Sequence, residues 1–453
     1  MKTKQEHIKS APLIASPPKS KVQTYSRYKD SGVEWLGEIP EYWEVSRLKN
    51  HINMITGFPF KSEKYTDEGI KLARGINVKE GVLDWGETRC WPKIEDHLMD
   101  YLLKDGDILI AMDGSKVGKN FCQIKESDLP ILLLQRVARL RPKKTLISNY
   151  LYNNIANRNF LLWVEMTKTD PMVPHIAPSD IKNFQIVIPP LQEQTAIANF
   201  LDDKTTKIDQ AISIKEQQIA LLKERKQIMI HKAVTRGLDD SVLLKGSGVE
   251  WIGEIPEHWE VKRLKFIFDK IQTGTTPSTS NQKFYDGNID WYNPKDLNNE
   301  VLIESERKLS KLAIEKKEIK FFPKDSVLVV GIGATAGKTS YLVNEGTFNQ
   351  QITGFHSNTE HNKYYFYLLR NLSEVMLNTA SYTTLAILNN EFFKVFNLIK
   401  PPLSEQKEIS KYIETASQKI DTAITLKQEE IAKLQEYKRS LINSVVTGKV
   451  KVC

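Results

Sequence analysis

Two glycine-containing segments carry residue types that could bind phosphate groups. Asp113–Asn120 reads DGSKVGKN and Gly331–Thr339 reads GIGATAGKT. Lysine and backbone N–H groups that follow a strand can contact the phosphates of a nucleotide or of DNA. The second segment resembles a nucleotide-binding P-loop, which has four residues between its two glycines. Here three residues separate Gly333 from Gly337 and five separate Gly331 from Gly337, so DNA phosphate is the stronger of the two hypotheses.

Polar and basic side chains around these segments could also contact DNA. Arginine pairs with guanine in the major groove, asparagine or glutamine pairs with adenine, and lysine contacts phosphate. In the first half of the chain the candidate DNA-binding residues are Lys61, Ser62, Lys64, Arg74, Asn77, Ser115, Lys116, Lys119, Gln135 and Arg136, with Arg139 nearby. In the second half they are Thr275, Thr276, Ser278, Lys283, Asn293, Lys295, Thr335, Lys338, Asn349 and Gln350, with Gln351 beside them. For each residue, a solvated loop or a core hydrogen bond is the alternative.

Motifs for covalent or metal chemistry are absent from the sequence. It contains no HExxH zinc helix, no GxSxG nucleophile turn and no Asn/Asp-Pro-Pro-aromatic motif of an amino-methyltransferase. The three cysteines, Cys90, Cys122 and Cys453, lack the spacing of a zinc site. We therefore predict no catalytic residue and no metal ligand in this chain, and a structural role for His175.

The chain contains an internal repeat. Residues 31–49 read SGVEWLGEIPEYWEVSRLK and residues 247–265 read SGVEWIGEIPEHWEVKRLK, which differ at three positions. A second pair of blocks, PPLQEQ at 189–194 and PPLSEQ at 401–406, closes each half, and the residues between the blocks diverge. Repeats of this length indicate two whole modules. Similar modules with different interiors favour two different ligands, with neutral drift of a duplicated domain as the alternative.

A long helix is predicted after each PPL-x-EQ block. From about Gln192 to Thr235 the sequence has no proline or glycine, and apolar residues recur near the coiled-coil spacing. The apolar positions are Ile197, Leu201, Ile208, Ile212, Ile219, Leu222 and Met229 in the first copy and Ile409, Ile413, Ile420, Ile424, Ile431, Leu434 and Leu441 in the second. We expect the two helices to pair antiparallel, which would put the modules at opposite ends about an approximate two-fold axis. A homodimerisation coiled coil is the alternative for the helices, and a coiled-coil interaction scaffold that does not bind DNA is an alternative for the whole chain.

Composition and charge narrow the class of protein. The 453 residues include 64 Lys and Arg against 56 Asp and Glu, a formal charge of +8. A basic surplus favours a polyanionic partner without requiring one. No apolar run approaches the roughly 18 residues of a membrane-spanning helix, and the N-terminus lacks a signal-peptide core. We therefore expect a cytoplasmic protein with no membrane partner.

The duplicated blocks resemble the specificity subunit of Type I restriction-modification systems. The residues that carry the resemblance are the openings GVEWLGEIPEYWEV and GVEWIGEIPEHWEV, the blocks PPLQEQ and PPLSEQ, and the helices that follow them, from about Tyr28 onward. The resemblance implies a non-catalytic subunit that reads a bipartite, asymmetric target in double-stranded DNA, one half-site with each target-recognition domain. Its helices would act as a ruler and as the dock for two methyltransferase subunits, which bind S-adenosylmethionine and methylate adenine.

The resemblance also implies motor and endonuclease subunits that use ATP and magnesium, so these cofactors are expected in partners and none in this chain. The expected fold is mixed α/β, with two tandem domains in pseudo-two-fold symmetry separated by two antiparallel helices. Buried strands are predicted at Asp107–Met112 and Ser326–Val330. The predicted domains are a flexible tail (1–25), target-recognition domain 1 (26–188), helical spacer 1 (189–238), target-recognition domain 2 (239–400) and helical spacer 2 (401–453).

Overall fold

The computed structural model describes residues 23–169, 172–298, 300–316, 319–380 and 387–452. The chain divides into two compact units: one contains the residues up to 215 and those from 428 onward, and the other contains residues 216–427. Most of the predicted tail, residues 1–22, and Cys453 lie outside the described residues. Each unit contains a mixed α/β domain and a part of both long helices, and the domain boundaries given above stay predictions.

Thirteen strands are described in the first unit. They are β1 (Tyr28–Asp30), β2 (Glu38–Pro40), β3 (Glu44–Arg47), β4 (Ile52–Thr56), β5 (Ile70–Ala73), β6 (Val78–Lys79), β7 (Val82–Leu83), β8 (Cys90–Trp91), β9 (Ile108–Ala111), β10 (Phe121–Gln123), β11 (Ile131–Leu133), β12 (Val137–Pro142) and β13 (Gln185–Ile188). The second unit contains β14 (Leu244–Gly246), β15 (Glu254–Pro256), β16 (Glu260–Arg263), β17 (Lys270–Thr273), β18 (Ile289–Tyr292), β19 (Val301–Leu302), β20 (Lys308–Leu309), β21 (Ser326–Val330), β22 (Thr339–Leu342), β23 (Thr347–Phe348), β24 (Ile352–His356) and β25 (Asn397–Lys400).

Short helices flank the sheets, and two long helices follow the PPL-x-EQ blocks. They are α1 (Ser148–Ile155), α2 (Arg158–Thr167), α3 (Pro178–Asn183), α4 (Leu191–Arg236), α5 (Lys311–Glu315), α6 (Asn362–Asn371), α7 (Ser373–Thr379), α8 (Asn390–Val395) and α9 (Leu403–Val446). Among the residues described, no helix combines the length and the apolar character needed to cross a membrane.

The two units share one sheet topology although their interior sequences differ. The main sheet has the order β10-β9-β12-β4 in the first unit and β19-β22-β21-β24-β17 in the second, which adds β19 at one edge. A small sheet has the order β11-β5-β8 in one and β23-β18-β20 in the other, each with a parallel first pair and an antiparallel second pair. The predicted strands at Asp107–Met112 and Ser326–Val330 are confirmed as β9 and β21, which are fully buried.

The long helices pair in antiparallel fashion within the first unit. Lys438 contacts Asp209 at 2.6 Å, and Lys215 contacts Glu430, so residue numbers fall along α4 as they rise along α9. The apolar positions predicted for the coiled coil are all buried or half-buried. Ile197 and Leu201 also join the main core of the first unit, and Ile409 and Ile413 join that of the second. The prediction of antiparallel helices is therefore confirmed.

The repeated motifs meet in the same hydrogen bonds in both units. The indole N–H of Trp43 donates to the Glu193 carboxylate at 3.1 Å, and that of Trp259 donates to Glu405 at 2.9 Å. Both indoles are fully buried. Each glutamate belongs to a PPL-x-EQ block and each tryptophan to a repeated opening, so the two motifs form a single contact that fastens each domain to the start of a long helix.

The glutamine of each PPL-x-EQ block is also buried and structural. Gln194 accepts a hydrogen bond from the backbone N–H of Ile147 at 2.9 Å, and Gln406 accepts one from His361 at 2.9 Å. Ile147 and His361 immediately precede α1 and α6. The side chain therefore satisfies a backbone donor that has no partner within those helices. This is why the block recurs while the interior varies.

Replacing Glu193 with alanine is expected to destabilise the first unit by about 1–3 kcal/mol, because the buried indole N–H of Trp43 loses its acceptor. Hydrogen exchange of residues 28–47, monitored as a function of denaturant concentration, measures the change in the free energy of unfolding. Glu216→Ala, at an exposed position on the same helix, is the matched control and should alter stability by less than about 0.5 kcal/mol. Equal effects of the two substitutions would contradict the role given to Glu193.

Candidate nucleic-acid interface

A three-residue turn between β11 and β12 lies at one end of the main sheet in the first unit. We call residues 134–136 the first end turn. Leu134 donates its backbone N–H to Ala73 at 3.1 Å, and the carbonyl of Arg136 accepts from Met112 at 3.0 Å. These bonds hold the turn beside the residues that follow β5 and β9. They place Gln135 and Arg136 next to the segments that carry Arg74 and the glycine residues, a proximity that the sequence did not predict.

An equivalent turn lies between β23 and β24 in the second unit. We call residues 349–351 the second end turn. Asn349 donates its backbone N–H to Tyr292 at 3.0 Å, and the carbonyl of Gln351 accepts from Gly331 at 2.7 Å. The two turns are therefore held by the same pair of backbone hydrogen bonds at corresponding positions. The candidates Asn293, Gln350 and Thr335 lie on the segments that meet there.

The predicted residues differ in how far they reach solvent. Eight in the first unit and four in the second are exposed: Lys61, Ser62, Lys64, Ser115, Lys116, Lys119, Gln135, Arg136, Ser278, Lys283, Lys295 and Gln350. Six are half-buried, namely Arg74, Thr275, Thr276, Asn293, Thr335 and Lys338. Lys295 forms an ion pair with Glu306 at 2.5 Å, and Thr276 donates a hydrogen bond to Gln350.

Three predicted base-contacting residues are buried and serve the core instead. Asn77 is 1% exposed, and its amide donates to the carbonyl groups of Asp84 and Glu87 at 2.9 and 3.1 Å. Asn349 is also buried, and its side-chain oxygen accepts the backbone N–H of Gln351 at 2.9 Å. Arg139 is 3% exposed, and its guanidinium donates to the backbone carbonyl of Asp100 at 2.9 Å. We correct these three predictions, because a buried amide or guanidinium cannot meet a base edge in this conformation.

Arg74, which follows β5, stabilises the loop that comes after it. Its Nη2 donates to the Glu87 carbonyl at 2.6 Å, and its Nε donates to Asn77 at 3.3 Å. The side chain thus closes the loop between residues 74 and 87. The half-buried guanidinium therefore directs two of its five N–H donors to its own loop.

Asp113, Arg136 and His175 form a charged cluster at the first end turn. Asp113 accepts a hydrogen bond from Nη1 of Arg136 at 2.7 Å, and its other carboxylate oxygen contacts Nδ1 of His175. Partial burial alone would raise the pKa of Asp113, but the hydrogen bonds from Arg136 and His175 and their charges lower it overall. Asp113 is therefore ionised at neutral pH. No local sequence signal indicates this cluster, since Asp113 and His175 lie 62 positions apart in the chain.

Both glycine segments connect antiparallel strands. Asp113–Asn120 links β9 to β10, and Gly331–Thr339 links β21 to β22. A P-loop instead leads into the N-terminus of a helix, where free backbone N–H groups hold phosphate. In these segments Lys119 donates its N–H to Lys116 at 3.0 Å and Lys338 donates to Thr335 at 3.2 Å. The structure therefore contradicts the P-loop hypothesis.

The glycines of these segments are needed for packing. Gly118 and Gly337 have φ values of 82° and 84°, which residues other than glycine rarely adopt. A Cβ atom on Gly118 would lie 2.9 Å from Val164, and one on Gly337 would lie 2.6 Å from Ser373. The Gly-Lys pattern that resembles a nucleotide-binding motif thus reflects a tight turn packed against a helix in each unit. Within the described parts of the chain, no group of three His, Cys, Asp or Glu residues is arranged to hold a metal ion.

Comparison with known proteins identifies relatives along the whole chain. Residues 40–224 and 256–436 each match the family model described as the Type I restriction modification DNA specificity domain. The MjaVIII type I restriction enzyme specificity subunit of Methanocaldococcus jannaschii is 27% identical over 442 residues, covering 91% of this chain and 94% of that protein. The EcoAI specificity subunit of Escherichia coli is 32% identical over 209 residues, covering 43% and 33% respectively.

Solved structures share the fold. A chain from a structure describing the complex assembly and conformational transition of the type I R-M system has a TM-score of 0.69 at 14% identity, covering 90% of this chain and 98% of that one. The HsdS subunit from Thermoanaerobacter tengcongensis has a TM-score of 0.54 at 13% identity, covering 91% and 98%. At these identities the similarity establishes the fold alone, a mixed α/β fold with two tandem domains and long helices.

Replacing Lys338 with alanine is expected to leave ATP hydrolysis by the purified chain unchanged at background. The physical reason is that Gly331–Thr339 ends in a β-strand and directs the N–H of Lys338 to its own loop. A phosphate-release assay on the wild type and on Lys338→Ala measures both rates. Hydrolysis by the wild type that disappears in the variant would restore the P-loop hypothesis.

Proposed function

The chain belongs to the Type I restriction-modification DNA specificity family, and we propose that it reads a bipartite, asymmetric sequence in double-stranded DNA. Each unit reads one half-site through the residues around its end turn. The subunit carries no catalytic site of its own. It supplies sequence choice to a complex whose other subunits act on the DNA.

One observation carries this proposal: the two units keep the same strand order and the same end-turn hydrogen bonds while the exposed side chains there differ. The first end turn exposes Gln135 and Arg136, and the second exposes Gln350 beside the half-buried Gln351. Arginine and glutamine differ in the bases that they pair with. Two domains with the same strand order but different exposed side chains at the end turn suit two half-sites of different sequence.

Exposed basic residues in each unit would supply affinity that does not depend on the DNA sequence. Lys61, Lys64, Lys116 and Lys119 are exposed in the first unit, as is Lys283 in the second. Lysine contacts to phosphate release bound counterions, so binding weakens as salt concentration rises. The remaining exposed or half-buried polar candidates would then fix register or contact bases.

The long helices offer a surface for protein partners, and we assign to them the docking of two methyltransferase subunits. In the second unit, α4 and α9 line a groove of about 750 Å³ with apolar side chains that include Leu222, Met229 and Ile420. Ile228 and Tyr412 on its walls are 60% and 45% exposed. Exposed apolar surface of this kind is typical of a protein interface.

The cofactors of the system belong to the partner subunits in this proposal. S-adenosylmethionine would bind to the methyltransferase subunits, which methylate adenine. ATP and magnesium would bind to the motor and endonuclease subunits. This chain would contribute recognition and assembly without a cofactor.

Exchanging residues 45–185 for the corresponding segment of a related subunit should change one half-site of the target and leave the other intact. The reason is that the first end turn and its neighbours lie within this segment. Mapping of methylated adenines in cells that carry the complete system gives both half-sites at once. The matched control exchanges residues 261–397 and should change the other half-site. A change in both half-sites from one exchange would contradict independent reading.

A further inference from the structure

We propose that Arg136 contacts a guanine in the half-site of the first unit, and that its counterpart Gln351 contacts an adenine–thymine pair in the half-site of the second. This inference rests on the proposed function and names the residues that carry it. It also assigns a positioning role to Asp113 and His175. Neither of these last two residues was among the candidates from the sequence.

Backbone pairing establishes the correspondence between the two units. The carbonyl of Arg136 accepts the N–H that directly follows β9, and the carbonyl of Gln351 accepts the N–H that directly follows β21. One residue further along, Asp113 forms an isolated bridge with His175, and Ile332 forms one with Ile387. Arg136, Asp113 and His175 therefore occupy the places of Gln351, Ile332 and Ile387, although sequence alignment across the diverged interiors does not reveal it.

Arg136 is presented for bidentate contact. Its side chain is 72% exposed, and the hydrogen bond to Asp113 engages Nη1. A guanidinium has five N–H donors in a planar fork, so donors on Nε and Nη2 can face the O6 and N7 acceptors of guanine. The backbone of Arg136 has a φ of 66°. Residues other than glycine adopt this left-handed conformation at a cost in free energy, and such residues occur most often at functional sites.

The carboxylate of Asp113 decides between a base and a phosphate as the partner of Arg136. Asp113 offsets part of the charge of the guanidinium, and this weakens the attraction of Arg136 to phosphate. It does not alter the directional fork that matches guanine, and it restricts the rotation of the guanidinium. His175 holds the other oxygen of Asp113, so the carboxylate itself is fixed.

The second unit offers different chemistry at the same places. The amide of Gln351 is half-buried. Its Nε2 donates to the Ile332 carbonyl at 3.4 Å and its Oε1 accepts from the Asn349 amide at 3.3 Å, two long hydrogen bonds that a base edge would have to replace. Ile332 and Ile387 are 41% and 39% exposed. A cleft of about 260 Å³ opens beside them, with Gln351 and Ile332 in its walls. An amide suits N6 and N7 of adenine, and exposed isoleucine suits the methyl group of the paired thymine.

The residue types at these three corresponding positions all differ between the two units. The first unit has a cation held by an anion and an imidazole, and the second has an amide beside two apolar side chains. An arginine beside Ile332 and Ile387 would lack the carboxylate that orients it. A joint difference at three positions that meet in the fold fits two units that contact different base pairs.

The test uses the full chain assembled with its methyltransferase subunits and a duplex that carries the mapped target. Competition binding measures the preference for that duplex over duplexes with one base pair changed. Arg136→Gln should lower discrimination at one guanine of the first half-site by about 5- to 150-fold and leave the second half-site unchanged. Gln351→Ala should lower discrimination only at an adenine–thymine pair of the second half-site.

Three further variants separate positioning from simple structural loss. Asp113→Asn should weaken discrimination at the same guanine as Arg136→Gln, and Asp113→Glu should restore part of it. Arg136→Lys keeps the charge but lacks the fork, so it should lose guanine discrimination as well; it serves as the second variant if Arg136→Gln melts at a lower temperature.

Several results would overturn the assignment. They are a first half-site without guanine on either strand, unchanged discrimination by Arg136→Gln, or an equal loss of affinity for all duplexes with a smaller salt dependence, which indicates a phosphate contact. These results leave the proposed function intact if the wild type binds a two-part target. A wild-type complex with no two-part target would overturn the proposed function itself.

Discussion

Backbone hydrogen bonding in the main sheet of each unit is the constraint on which the two end turns depend. In each unit the carbonyl that closes the end turn accepts the N–H that follows the central strand, at 3.0 Å in one and 2.7 Å in the other. These bonds do not involve side chains, so residue types in the turn can change while the turn keeps its place. A duplicated domain can therefore acquire a second specificity without losing its fold.

Side chains maintain the part of the structure that does not vary. The buried indoles of Trp43 and Trp259 donate to a glutamate at the start of a long helix, and the neighbouring glutamines accept a backbone N–H at the start of α1 and α6. The repeat even tolerates an exchange in this contact, since Tyr42 and its counterpart His258 both bond to the same glutamate position. Sequence identity thus concentrates where a buried polar group needs a specific partner.

Much of the architecture could be predicted from the sequence because its signals are local or repeated. The apolar spacing predicted a helix from Gln192 to Thr235, and α4 spans Leu191–Arg236. The duplicated motifs predicted two equivalent domains, and the two sheets have matching strand order. Each of these features depends on periodicity or on residues that lie close together in the chain.

The residues around the two end turns were harder to predict, because the burial and the hydrogen-bond partners of their side chains depend on segments that are distant in the sequence. Asn77 and Asn349 have the residue type of a base reader, but the surrounding loops bury them. Asp113 and His175 are far apart in sequence and meet only because the segment before α3 returns to the end of β9. The correspondence of Asp113 with Ile332 required the strand register, since no repeated residue marks it.

Photo-crosslinking from the two end turns tests the central claim most directly. A photoreactive amino acid replaces either Gln135 or Gln350, which are exposed counterparts in the two units, in the complex with methyltransferase subunits and target DNA. The account predicts that crosslinks from position 135 map to one half-site and those from position 350 map to the other. Crosslinks from both positions to the same half-site, or to the spacer between the half-sites, would contradict it.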